Sequence, residues 1–288
     1  MDYILSIAII LAIYVILASS LNVVLGHGGL LSLCHAGFYA IGAYTAALLG
    51  TGLGLKFLAT VAGAALVAAI IAALLAIPLL RLRGDYFILG SLGFQIIIID
   101  IIYNSDWLTN GALGISRIPR PQFLGFEAQS HLQYAVLYGA VAFLCVLAIN
   151  YVMISPFGRT LHAVREDEVA ASALGKNVRS IRIRAFALSA AGAGVGGALY
   201  AHFTTYIDAT SFTFTESIYI LSLVIVGGVA TTRGPLLGAL LLVALPEMLR
   251  FVGFSGGADA NLRQLIYGLL LIAFAMLRPS GLAGKNVF

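Results

Sequence analysis

The chain has 288 residues and a formal net charge of +4, from 16 Lys and Arg against 12 Asp and Glu, yet only 10% of it is charged and 61% is hydrophobic. A mean hydropathy of +1.02 excludes a water-soluble domain of this length. The basic residues stand between apolar runs, where they orient membrane spans, so the basic balance does not point to nucleic acid.

Apolar stretches near 4–25, 30–50, 57–80, 86–103, 132–154, 185–207, 216–232, 235–250 and 261–277 give nine candidate spans, some of them short. A hydrocarbon core of about 30 Å takes roughly 20 residues of helix. Open strands would leave backbone amides unpaired in lipid, and the runs are too continuous for barrel strands. The expected fold is therefore all-α: a polytopic helical membrane bundle of about 8–10 transmembrane helices, one integral domain over 1–288. The first span carries Asp2 and no leading Lys or Arg, and its apolar run exceeds a signal core, so it reads as a retained helix.

From Gly26 to Gly42 the second stretch is interrupted by Gly26, Gly28, Gly29, Ser32, His35, Gly37 and Gly42. Unwound backbone lining a wet cavity and close packing through small residues both fit this composition. Ser32, His35, Tyr39, Gly42 and Tyr44 are the candidate pathway residues; His35 and Tyr39, four apart, share a helical face. Asp100, near the end of the fourth stretch, is a further candidate, for an outer vestibule or for the wet interface. Cys34 and Cys145 lie inside spans without partners at ligand spacing, so no metal site and no disulfide framework is expected.

Residues 104–131, with Trp107, Gly111, Gly114, Pro119, Pro121 and Gly125, read as an external loop suited to docking. Residues 155–184 read as a cytoplasmic loop and hold six of the sixteen basic residues: Arg159, Arg165, Lys176, Arg179, Arg182 and Arg184. Counting spans outward from that loop puts eleven positive charges inside and five outside, as the positive-inside rule requires, with the N-terminus outside.

Within that block, Ser155 and Pro156 stand as N-cap and first helical residue. Phe157, Leu161, Val164, Ala171 and Leu174 recur at helical spacing, and Gly175 is the expected terminator. The expectation is one short amphipathic helix. An interfacial helix has the same pattern, but three consecutive acids, Glu166, Asp167 and Glu168, suit a protein groove better than an anionic leaflet. Farther on, Gly192, Gly194, Gly196 and Gly197 mark a tightly crossed helix that follows the block directly. Near the end, Glu247 and Arg250, three apart, are read as a structural ion pair.

Glu168, Ala170, Ala171 and Gly175 spell E-x-A-A-x-x-x-G, which resembles the loop by which ABC importer permeases engage their ATPases. The run SPFGRTLHAVREDEVAASALGKNV, together with SLNVVLGHGGLLSLCHAGFYAIGAYTAALL from Ser20 and GGVATTRGPLLGALLL from Gly227, is similar to permeases of branched-chain amino acid uptake systems. The likeness extends over nearly the whole chain, through LRQLIYGLLLIAFAMLRPSGLAG. Two positions depart from the family pattern: Cys34 stands where Gly usually precedes His35, and Ala230 and Arg233 replace a Gly and an aromatic or apolar residue.

The resemblance implies a permease subunit of the bacterial cytoplasmic membrane, working with two cytoplasmic ATP-binding subunits and a second homologous permease or a second copy of itself. It also implies a soluble extracytoplasmic binding protein, with membrane lipid around the bundle and no nucleic acid. ATP and magnesium would be used by the ATPase, none being bound here; the sequence has no G-x-x-x-x-G-K-[ST] loop. Arg159, Arg165, Glu166, Asp167, Glu168, Ala171 and Gly175 would be the ATPase-coupling residues. The chain is expected to have no catalytic residue: His35, Asp100 and Glu247 are too dispersed for an intramembrane enzyme. Permeation of another small polar solute such as urea or amides, or an ion-coupled carrier or channel, are the alternatives.

Overall fold

The computed structural model describes residues 2–251 apart from 124, 125, 128 and 129, together with 268, 269, 272 and 281–283. Helices follow the apolar runs: α1 (Asp2–Asn22), α2 (His35–Gly52), α3 (Phe57–Leu79), α4 (Asp85–Asn104), α5 (Asp106–Thr109), α6 (His131–Ile154), α7 (Pro156–Glu166), α8 (Glu168–Ala173), α9 (Val178–Thr204), α10 (Phe214–Gly227) and α11 (Gly234–Phe251). The chain is an all-α polytopic membrane bundle. Among the described residues, five helices are long and apolar enough to cross a membrane: α1 with its extension to His27, α3, α4, α6 and α9. The remaining candidate stretches form shorter elements, α2, α10 and α11, and the 261–277 candidate lies outside the described residues.

Helix α9 is the axis. It packs against α1, α2 and α3, and its glycines set how closely. A Cβ on Gly42 of α2 would lie 2.4 Å from the Gly194 Cα, and one on Gly197 would lie 2.1 Å from the Tyr39 carbonyl oxygen. Without side chains at these positions the two backbones touch, which is how helices associate where burial of apolar surface gives no net drive. Outer faces are apolar and open, as lipid-facing surfaces are: Leu66, Leu74, Leu89, Phe143 and Leu144 are all exposed.

Side-chain contacts order the two ends of the bundle. Ser6 Oγ of α1 is 3.3 Å from His131 Nδ1 at the start of α6, and Gly50 of α2 abuts Pro119. At the other end Arg179 of α9 donates to the Ile77 carbonyl of α3 over 3.4 Å. The Leu282 and Ala283 amides donate to the Val226 and Gly227 carbonyls at 2.9 and 3.0 Å. The start of α1 thus lies at the end opposite α7 and α8.

Residues 104–131 are folded rather than extended. Strand β1 (Ile115–Ser116) pairs antiparallel with β4 (Tyr206–Ile207), joining this loop to the segment after α9. Between them in the chain, β2 (Gln122–Phe123) and β3 (Phe126–Glu127) form a small hairpin. His202 Nδ1 donates to the Pro119 carbonyl at 2.7 Å and pins the loop to α9. Asp208 N-caps the turn of 3-10 helix Ala209–Phe212, accepting from the Ser211 amide and from the Ser211 and Thr210 hydroxyls. Partial burial pushes its carboxyl up, but those bonds more than offset it and hold the group below the usual carboxylate range.

Candidate functional site

Two helices do not run unbroken through the bundle. Helix α1 passes into a π-turn, Val23–His27, and the chain is then non-helical until α2 begins at His35. Helix α10 begins beside the middle of its neighbours, since Tyr14 of α1 donates to Glu216 Oε1 at 2.8 Å and the Ala36 amide donates to Ser217 Oγ at 3.0 Å.

A helix starting inside a bundle leaves its first amides without intrahelical partners, and here neighbouring side chains supply them. Ser91 Oγ of α4 accepts from the Leu33 amide at 2.9 Å. Gln95 Oε1 accepts from the Gly37 amide, and its amide nitrogen donates to the Phe212 carbonyl at 2.9 Å. Ser91, Gln95 and Ser217 are buried for this reason.

Ser32, His35, Tyr39, Gly42 and Tyr44 are all in this region, but they do not form one open row. Ser32 is buried with its hydroxyl 3.2 Å from Cys34 Sγ. His35 is 2% exposed, and its Nε2 donates to the Leu17 carbonyl at 3.2 Å while lying 3.0 Å from Ser20 Oγ. Gly42 faces Gly194. Tyr39 and Tyr44 close around Phe212, with ring centroids 4.9 and 6.2 Å away, and Tyr200 completes the aromatic cluster. The Tyr44 hydroxyl is buried without a hydrogen-bond partner among the described residues. Tyr44 also lines a cavity of about 300 Å³ whose other walls are mainly Ile41, Leu48, Val67, Ile71 and Ile98. Asp100 is exposed near the far end of α4.

His35→Ala is expected to cost about 1–3 kcal/mol, the penalty of removing a buried hydrogen-bonded group, with His35→Asn recovering part of it. Thermal unfolding in detergent measures this. An unchanged midpoint with lost uptake would instead place His35 in the pathway.

The polar block differs from the single amphipathic helix its spacing suggests. Ser155 does cap α7, accepting from the Phe157 amide with Pro156 in the first turn. The helix then breaks at Asp167, whose Oδ1 accepts from the Val169 and Ala170 amides at 2.8 and 2.9 Å and starts α8. The aspartate satisfies two amides that have no intrahelical partner, which stabilises the new helix start. Gly175, at φ +76, ends α8, and the Lys176 amide donates to the Ala171 carbonyl.

The break redirects the side chains. Leu161 packs with Val23, Met153 and Ala185 of its own chain, and Val164 with Ala171 and Val178. The apolar face expected to fill a partner's groove is therefore already covered, and Ala171 is a packing residue. Leu174 leaves that face altogether and is exposed, as is Val169. Arg159 and Glu166 are exposed, with Arg159 donating to the Ile154 carbonyl. Glu168 forms an ion pair of 3.0 Å with Arg182 of α9. Arg165 turns inward to donate to the Gly26 carbonyl of the π-turn.

Glu247 accepts from the Tyr3 hydroxyl. Its expected pairing with Arg250 falls on a side chain outside the described residues. Three contacts that spacing did not indicate join the break to its surroundings: those of Gln95 described above, those of Asn22 with the Ala230 amide and the Thr231 carbonyl, and the approach of His27 Nδ1 to His162 Nε2. Gln95 and Asn22 were open to detection as amides within apolar runs; nothing in the sequence aligns His27 with His162.

Among known proteins, the family described as "Branched-chain amino acid transport system / permease component" matches residues 3–275. The chain is 38% identical to the "High-affinity branched-chain amino acid transport system permease protein LivM" of Escherichia coli (strain K12), over 96% of this chain and 69% of that protein. The Salmonella typhimurium protein of that name shows the same identity and coverage. A "Probable branched-chain amino acid transport permease protein LivM" of Methanocaldococcus jannaschii is 27% identical over 80% of this chain and 69% of its own length. No solved structure matches.

Proposed function

The chain belongs to the family of permease components of branched-chain amino acid transport systems, and from that premise we propose how it couples to its partners and where solute meets it. It is a multi-pass permease subunit of an ABC importer in the cytoplasmic (inner) membrane. The names of its relatives favour branched-chain amino acids over urea, amides or an ion-coupled carrier.

In this reading 1–288 is one membrane domain, with 155–184 on the cytoplasmic side and 104–131 outside. ATP and magnesium belong to two partner ATPases, and a soluble binding protein delivers solute to the outer loop. A second permease, homologous to this chain or a copy of it, completes the pathway. The observation that carries the coupling reading is the division of labour in the polar block. Val169 and Leu174 stand exposed among Glu166, Asp167 and Lys176, ready for a partner, while Arg165 faces into the bundle. For the pathway, the unpartnered Tyr44 hydroxyl beside aliphatic walls singles out Tyr44 among the candidates; Ser32, His35 and Gly42 serve packing around it, and Asp100 sits at the wet interface.

The test is uptake of radiolabelled leucine, isoleucine and valine by vesicles holding the chain with its ATPases, companion permease and loaded binding protein. ATP-dependent accumulation is expected. Accumulation without ATP would sink the importer reading, and uptake of urea or amides in preference to all three amino acids would sink the substrate reading.

A further inference from the structure

The π-turn at the end of α1 is gripped from two sides. From α7, Arg165 donates to the Gly26 carbonyl, and His162 Nε2 lies 2.8 Å from His27 Nδ1 with the rings edge to face. Leu161 and Val23, both fully buried, meet alongside. From the turn between α10 and α11, the Ala230 amide donates to Asn22 Oδ1 at 2.9 Å, and Asn22 Nδ2 donates to the Thr231 carbonyl at 2.9 Å. A Cβ on Gly26 would come within 2.5 Å of the Ala230 nitrogen, so nothing separates the two backbones. A π-turn frees backbone groups from the ordinary ladder, and such turns recur at functional sites.

Beyond the turn the character changes. Gly29, at φ +67, is exposed, and Leu30 and Leu31 follow it without helical structure. These residues form one wall of a cavity of about 700 Å³, whose far side is Arg81, Leu82, Arg83 and Asp85 at the turn between α3 and α4. Within this stretch the Leu30 amide donates back to the Val24 carbonyl at 3.0 Å, and side chains of other helices take hold at Leu33, Ala36 and Gly37, through Ser91, Ser217 and Gln95. A non-helical segment with space beside it thus lies between two stretches held by side chains of other elements.

We propose that α7, the π-turn and the 228–233 turn move as one latched body, that Gly29–Leu31 is the hinge flexing beside the cavity, and that His162 and Arg165 are the positioning residues transmitting ATPase motion to the broken helix. This rests on the coupling reading above. The latch combines a donor–acceptor bond, an imidazole pair and an apolar contact; α8 is held inward by the buried Ala171 and by the partly exposed Glu168–Arg182 pair, whose net worth is small. An element with two arrangements and a defined hinge is what coupling between distant sites requires.

The test uses the whole complex with the double variant His162→Leu, Arg165→Met. Solute imported per ATP hydrolysed is expected to fall at least tenfold while the ATPase still co-purifies, and Arg165→Lys, which keeps a donor for Gly26, is expected to retain at least half of wild-type import per ATP. Wild-type import per ATP in the double variant, or lost ATPase binding with a normally folded chain, overturns the latch.

Should the double variant fail to fold, spin-label distances decide. In a Cys34→Ala, Cys145→Ala background, labels at Ala163→Cys and Thr232→Cys are expected to keep one separation between nucleotide-free and ATP-trapped states. Labels at Ala163→Cys on α7 and at Tyr86→Cys, between the cavity-lining Asp85 and Phe87, are expected to change separation. Movement within the first pair, or none in the second, overturns the proposal. These distances do not depend on the solute, so a wild-type complex that imports none of the three amino acids faults the substrate reading alone.

Discussion

Val169→Asp combined with Leu174→Asp is expected to abolish co-purification with the ATPase while leaving the chain folded in the membrane. The two side chains are 78% and 79% exposed, the largest apolar groups that α8 and its end present, whereas Leu161 and Val164 are already buried in the chain itself. Two exposed apolar side chains bordered by charge offer a partner area to bury, and burying one of them is worth about 2 kcal/mol, roughly a 30-fold change in affinity. Pull-down from solubilised membranes measures it, and undiminished recovery of the ATPase would remove α8 from the interface. Reversing Glu168 is expected to do less. Its carboxylate faces Arg182 of the same chain across a partly exposed pair, worth about 1 kcal/mol or less.

Gly197→Leu is expected to prevent accumulation of folded protein. A Cβ there would sit 2.1 Å from the Tyr39 carbonyl oxygen and 2.6 Å from the Ala43 nitrogen, so α2 and α9 must separate along their shared seam. Overpacking a tight core costs about 1–3 kcal/mol when side chains yield; here the obstacle is backbone, and the cost lies at or above the top of that range. Size-exclusion profiles of fluorescent fusions read the outcome. A monodisperse peak at wild-type level would show the seam to be looser than these distances. Gly139, whose Cβ would meet nothing within 4 Å, supplies the control: Gly139→Leu is expected to accumulate normally.

Hydropathy located the helices because membrane burial is written one residue at a time. The cap at Ser155 and the stop at Gly175 were equally legible, each being a local property of two or three residues. The break at Asp167 was not, since the same three acids read as the polar face of a continuous helix until the Val169 and Ala170 amides are seen to turn toward one carboxylate. The glycines between Gly26 and Gly42 announced an irregularity but left two explanations, and the fold uses both: an unwound segment to Cys34, then close packing at Gly42. Pairings over long separations, such as His27 with His162 or Gln95 with Phe212, depend on the bundle's geometry and have no signature in spacing. The exchange of Gly for Ala at 230 gains a physical meaning in the same way. Ala230 occupies φ +61, a conformation glycine adopts freely and alanine does not, so this turn holds local strain at the point where Asn22 grips it.

The bonds from Leu282 and Ala283 to the end of α10 bear on how the protein is made. A helix end leaves carbonyls open until something supplies donors, and here the donors are Leu282 and Ala283, translated after α10. Until then the rim beside Gly228 stays unfinished. Completion of that rim is therefore tied to the translation of Leu282 and Ala283.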